Sequence, residues 1–266
     1  MSITHNEVTV LDFDHTYVSQ KFLHDSTFEW IPMEDIPSTS RYCSNEARAE
    51  IYERLQHRRN KGITFIGNGN YHYVSLLLLQ EIDSPFTLVL LDNHTDLQEP
   101  SFMPLLSCGS WVLHALESLP NLEKVVIVGI RPDFTTEQIP AHLRSKISII
   151  PHNHILFQKE TKLLSHIQSL IPTANIYISI DKDVLDETAA KTNWDHGKMQ
   201  LATLRSILQS LSEHKSIIGV DICGEYPAID FFDKEGLLAT HLNEQANRTL
   251  LQTVKSCSRI AHARVN

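Results

Sequence analysis

Seven short runs rich in β-branched and other apolar residues, at 8–13, 63–66, 86–91, 124–130, 147–150, 176–180 and 216–222, are separated by segments whose apolar residues recur at helical spacing. Runs this short and this continuously apolar are expected as strands buried on both faces. Helical spacing occupies 45–59, 71–81, 111–119, 136–144, 161–170 and 201–214, and a last helix is expected from 238 to 256. Parallel strands require crossover connections, and helices usually supply them. The alternation therefore predicts a three-layer α/β/α sandwich with a mostly parallel central sheet. No Pro/Gly/Ser-rich linker, charge block or internal repeat divides the 266 residues, so a single domain spanning 1–266 is expected.

In such sheets ligands collect at the carboxyl ends of the strands, so reactive residues should fall just after the apolar runs. Leu88-Val89-Leu90-Leu91 leads directly into Asp92-Asn93-His94-Thr95-Asp96. Alternation keeps Asp92, His94 and Asp96 on one side of an extended backbone, where they can converge on one point. The run ending at Ile180 is followed by Asp181, Lys182 and Asp183, a second alternating acid pair, and the run ending at Ile66 by Gly67-Asn68-Gly69-Asn70-Tyr71-His72. Each group alone is an ordinary polar strand end or turn. Together they bring four carboxylates and two imidazoles to three strand ends, an arrangement that repels itself unless cations lie between the acids. Imidazole with carboxylate, and no thiolate in the set, suits manganese, iron, nickel or zinc.

These segments resemble the ureohydrolase family, which includes arginase, agmatinase and formimidoylglutamase. Gly69-Asn70-Tyr71-His72 is similar to that family's Gly-Gly-Asp-His segment, Asp92-Asn93-His94-Thr95-Asp96 to its Asp-x-His-x-Asp signature, and Ser179-Ile180-Asp181-Lys182-Asp183 to its Ser-x-Asp-x-Asp signature. The resemblance implies two divalent metal ions, manganese in the family. One would be held by His72, Asp92, Asp96 and Asp181, and the other by His94, Asp92, Asp181 and Asp183. It further implies a metal-bridging hydroxide that attacks a C–N bond of a linear amidine or guanidino compound, with Asp96 as the catalytic residue that orients it. A small-molecule substrate and a homo-oligomer are also expected by analogy.

The same resemblance breaks at the groups that would grip substrate or move protons. Where the family often shows Asp-Ile-x-Glu-x-Asn-Pro, with a Glu that holds the guanidinium, this chain reads Asp221-Ile222-Cys223-Gly224-Glu225-Tyr226-Pro227. Gly224 takes the Glu position, and Glu225 could serve only after a shift that reverses its face. Where arginases and agmatinases carry a proton-shuttling histidine before a glycine, this chain has Cys108-Gly109 and no histidine until His114. Glu225, Trp111 and Trp194 are the candidate substrate contacts, the two indoles as pocket walls or stacking partners for a planar cation. Cys108 and His114 are expected as packing residues.

One rival motif lies near the start. Asp12-Phe13-Asp14-His15-Thr16 resembles the Asp-x-Asp-x-Thr motif of haloacid-dehalogenase-type phosphatases, with Asp12 as nucleophile and Asp14 as general acid, though His15 replaces the usual glycine. A metal-binding relative without catalysis, or one that hydrolyses an amide, is a further alternative. A net charge of −9 with no basic cluster argues against nucleic-acid partners. Cys43, Cys108, Cys223 and Cys257 lack C-x-x-C spacing, which points to reduced thiols. No apolar run approaches the roughly 20 residues of a membrane span and the N-terminus is no signal peptide, so no membrane partner and a cytoplasmic location are expected.

Overall fold

The computed structural model describes residues 8–23, 27–99, 105–134, 137, 139–227 and 234–263, with side chains to 257. Ten strands form among the described residues: β1 (Val8–Asp12), β2 (Phe28–Pro32), β3 (Tyr42–Cys43), β4 (Ile63–Asn68), β5 (Phe86–Leu91), β6 (Leu106–Ser107), β7 (Leu122–Ile130), β8 (Ile147–Pro151), β9 (Asn175–Asp181) and β10 (Ser216–Glu225). Seven α-helices accompany them among the described residues: α1 (Asn45–Gln56), α2 (Val74–Leu79), α3 (Trp111–Ser118), α4 (His152–Phe157), α5 (Glu160–Ser169), α6 (Leu201–His214) and α7 (Lys234–Ala263). Eight strands make one sheet in the order β2-β1-β4-β10-β9-β5-β7-β8, and every adjacent pair in it is parallel.

Period-two alternation within the buried strands divides the core in two. Leu88 and Leu90 of β5 pack with Val125, Ile127 and Tyr177 on the face covered by α1, α2 and α3. Val89 and Leu91 pack with Val126, Val128, Ile178 and Ile180 on the opposite face, against α5, α6 and α7. The result is the expected three-layer α/β/α sandwich. All seven expected strands form, β5 with the bounds read from its sequence. Residues 136–144 do not form the expected α-helix: a 3-10 turn occupies Ala141–Lys146, begun by Pro140, and residues 135, 136 and 138 lie outside the described set. Proline has no N–H to donate and forbids a continuous helix through this point. Among the described residues no helix is long and apolar enough to cross a membrane.

Three elements without a clear sequence signal complete the frame. The edge strand β2 is half-exposed along its length, and α4 buries no residue. β3 and β6 form a two-residue antiparallel ribbon, Tyr42 opposite Ser107 and Cys43 opposite Leu106. That ribbon ties the loop before α1 to the loop before α3, over the carboxyl ends of the central strands.

Gly129 of β7 has a φ of +112°, and a Cβ added there would press into Val184 Cγ2 and lie 3.1 Å from the Asp92 carbonyl oxygen. Gly129→Ala should therefore cost about 3 kcal/mol or more, from backbone strain and overpacking together. Urea denaturation should show a lower midpoint at unchanged m-value.

Candidate metal centre

Register brings the two acid-rich strand ends side by side. Leu91 of β5 pairs with Ile180 of β9, so Asp92 and Asp181 leave the sheet at the same level. β10 separates β9 from β4, and the chain beyond β4 must reach across it. A 3-10 turn at Gly69–Tyr71 does so, capped by Asn68, whose Oδ1 accepts from Asn70 N at 2.8 Å, and it delivers His72 to the centre. His72 Nδ1 lies 3.4 Å from Asp92 Oδ2, 3.2 Å from Asp96 Oδ2 and 3.5 Å from Asp181 Oδ2. On the other side, His94 Nδ1 lies 3.6 Å from Asp92 Oδ1 and 2.8 Å from Asp183 Oδ2. All six candidate ligands line one pocket, and five of them are buried, His94 being half-exposed.

The orientation of both imidazoles is fixed from behind. Ser179 Oγ donates to Asp221 Oδ1 at 2.6 Å, so at 2.9 Å it can only accept from His72 Nε2. His94 Nε2 faces the carboxylate Oδ1 of Asp195 at 3.1 Å, and Asp195 is held by Arg131 at 2.8 Å. With both Nε2 atoms carrying the proton, both Nδ1 lone pairs point into the acids, where they meet a cation or repel. Carboxylates backing metal-binding histidines in this way are a recurrent arrangement. Asp92 Oδ2 is buried without a hydrogen-bond donor among the described residues.

Electrostatics agree. Burial, then Asp183 and Asp96, pushes the Asp92 carboxyl well above its ordinary range, and burial with Asp183 brings Asp181 up to about 6. Burial disfavours a charged His72, yet Asp96, Asp181 and Asp92 outweigh it and raise the imidazole to about 10. The cluster is a site that demands positive charge. Three donor sets close enough to share an ion can be drawn among the described residues: His72-Asp92-Asp96 and Asp92-His94-Asp183, with Asp92 common to these two, and His72-Asp181-Cys223.

The candidate substrate residues fare differently. Trp194 lines the pocket, its ring 5.8 Å from that of His94. Trp111 does not: it is fully buried behind the ligands, 4.9 Å ring to ring from His72, and its Nε1 donates to Asp96 Oδ2 at 2.6 Å. That bond fixes Asp96, which holds a left-handed φ of 52° and whose carbonyl accepts from Val112 at the start of α3. Glu225 also lies off the pocket. β10 bulges between Cys223 and Glu225, Gly224 turns with φ +87°, and the Glu225 carboxylate enters a buried cluster with Lys182 Nζ, Gln20 Nε2 at 2.8 Å and Asn247 Nδ2 at 2.7 Å. Cys108 is a pocket-lining residue rather than a packing one, its thiol pushed up to about 12 by burial and by Asp96 and Asp181. His114 lies half-buried in α3 outside the lining.

Asp12 and Asp14 close β1 elsewhere. Asp12 accepts from His15 N at 2.7 Å and faces its Nδ1 at 2.9 Å, Asp14 accepts from Thr16 at 3.1 Å, and neither lines the pocket. Two further pocket residues, Arg41 and Gln98, carry no motif. The β3–β6 pairing, too short to leave a periodic signal, and backbone bonds to Asn70 and Cys108 bring Arg41 there.

The sequence model of the Arginase family matches residues 9–246. The chain belongs to the arginase family. An uncharacterised protein of Thermotoga maritima is 35% identical over 225 residues, covering 85% of this chain and 82% of its own. Among solved structures, proclavaminate amidino hydrolase from Streptomyces clavuligerus superposes with a TM-score of 0.69 at 14% identity, covering 96% of this chain and 93% of that one. Arginase from Bacillus cereus does so with 0.67 at 15%, covering 94% and 98%. This arginase-family fold is that of hydrolases acting on C–N bonds, and the phosphatase reading of Asp12 and Asp14 is set aside.

The Lys182–Glu225 pair yields a test. Both side chains are buried, so Lys182→Met leaves an uncompensated carboxylate and should cost about 3–5 kcal/mol. Adding Glu225→Gln, which keeps an oxygen for Asn247, should restore most of that loss in urea denaturation of chelator-treated protein.

Proposed function

We propose that this protein is a binuclear-metal hydrolase that cleaves a C–N bond of a linear amidine or guanidino compound, with manganese as the ion. The observation that supports it most is the pair of outward-tied imidazoles, whose Nδ1 atoms face Asp92, Asp96 and Asp181 on one side and Asp92 and Asp183 on the other. The donor set fits two ions: His72, Asp92, Asp96 and Asp181 would hold one, and His94, Asp92, Asp181 and Asp183 the other. Bound there, the pair would supply Lewis acidity and a water of lowered pKa.

The chain's own residues would do the remaining work. Asp96, held by Trp111 Nε1, keeps a carboxylate oxygen where it can accept a proton from the attacking water and orient it. Asp195, fixed by Arg131, would accept from His94 Nε2 and keep the Nδ1 lone pair turned toward the acids. Trp194 walls the pocket and limits the access of bulk solvent to the reacting carbon. The position where a guanidinium-binding Glu is expected holds Gly224, and a Cβ there would lie 2.4 Å from Asp181 Oδ1. Recognition therefore falls to the loops around the pocket, and a neutral amide head is the second reading that this glycine favours.

Asp92→Ala removes one of the two ligands, with Asp181, common to both proposed donor sets and should abolish both metals and hydrolysis, whereas His94→Ala should lose one ion preferentially. Elemental analysis checks the first effect. Release of urea or ammonia from guanidino, formimino and amide compounds by manganese-loaded protein checks the second. Wild-type metal content in Asp92→Ala would overturn the assignment.

A further inference from the structure

Among the described residues lining the pocket, Arg41 is the one Lys or Arg side chain. It is exposed, its guanidinium lies over the Trp194 ring at 5.2 Å, and it pairs with no carboxylate among the described residues. Its backbone is held firmly for a surface residue. Arg41 N donates to the Asn70 carbonyl at 3.1 Å, and its own carbonyl accepts from Cys108 N at 2.9 Å. Its φ is +65°, a left-handed conformation that costs a non-glycine residue about 1 kcal/mol or more. Beside it, Trp194 Nε1 is buried without a hydrogen-bond partner among the described residues.

Charge fixes what such a wall attracts. On the binuclear reading above, on which this inference rests, two divalent ions cancel the charge of Asp92, Asp96, Asp181 and Asp183, and Arg41 then sets the sign of the outer pocket. A guanidinium with free donors and a fixed plane matches a carboxylate bidentately. We propose that Arg41 binds the carboxylate at the end of the substrate remote from the scissile C–N bond. The substrate class is then a linear amidino or guanidino acid, not the corresponding amine. Trp194 braces the guanidinium by stacking and offers its indole N–H beside it.

Calorimetry on the manganese-loaded full chain, with 4-guanidinobutanoate and 4-guanidinobutylamine as probes, tests this. The acid should bind at least about tenfold more tightly than the amine. Arg41→Gln should erase that preference by weakening the acid alone, and Arg41→Lys should keep part of it, because an ammonium retains the charge without the fork. Where the acid is turned over, Arg41→Gln should raise KM with little change in kcat. Equal binding of the two probes, binding of neither, or unchanged acid affinity in Arg41→Gln would each overturn the assignment. Tight, Arg41-dependent binding of the acid without hydrolysis would support the carboxylate site and count against the hydrolytic reading alone.

Discussion

Four carboxylates converge on two imidazole nitrogens, and much of the surrounding structure exists to hold them there. Like charges a few ångströms apart repel by about 4 kcal/mol per pair at the effective dielectric of a protein surface, and by more inside. Side chains free to rotate would part. The frame prevents it: Asp92 and Asp181 leave adjacent strands at one level, Asp96 is fixed by Trp111 and by its left-handed backbone, and both histidines are tied from behind. The apolar strands beneath stabilise the fold, and that stability offsets the repulsion above. Positive charge completes the balance.

This constraint explains which parts of the site could be read from sequence. A ligand on a strand end inherits the strand's period, so Asp92, His94 and Asp96 announce themselves through alternation, as do Asp181 and Asp183. Their strands are apolar on both faces and are legible for the same reason. Where a chain segment is short, exposed or interrupted, that signal vanishes. β2 sits half-exposed at the sheet edge, β3 and β6 are two residues each, and Pro140 halts an otherwise helical pattern.

Glu225 and Trp111 show a different limit. Both are expected in the pocket from the sequence. A bulge at Gly224 turns Glu225 to Lys182, a partner 43 positions away, and the start of α3 places Trp111 behind Asp96 instead of before it. Such pairings depend on which face a residue presents after an irregularity, and no local pattern records that. Lys182 itself lies between two candidate ligands, yet its side chain points into the buried cluster of Gln20, Glu225 and Asn247. Alternation predicts the two acids on one side and the lysine on the other.

The glycine at 224 then has a consequence beyond the loss of a carboxylate. β10 runs between β4 and β9, so its carboxyl end sits under the cluster, and any side chain at 224 would press on Asp181. With φ at +87°, the position is also one that an L side chain adopts only at a cost. Binding groups cannot be restored there by simple substitution, because the backbone has been reshaped around their absence. On the proposed function, the strand ends carry the residues that would handle charge at the reacting carbon. On that same function, discrimination passes outward to the loops, where Arg41 beside β3 stands over Trp194 of the loop before α6. Chemistry built on strand ends and recognition built on loops could then, on the proposed function, change independently, and the departures at Gly224 and Cys108 leave all six candidate ligands in place.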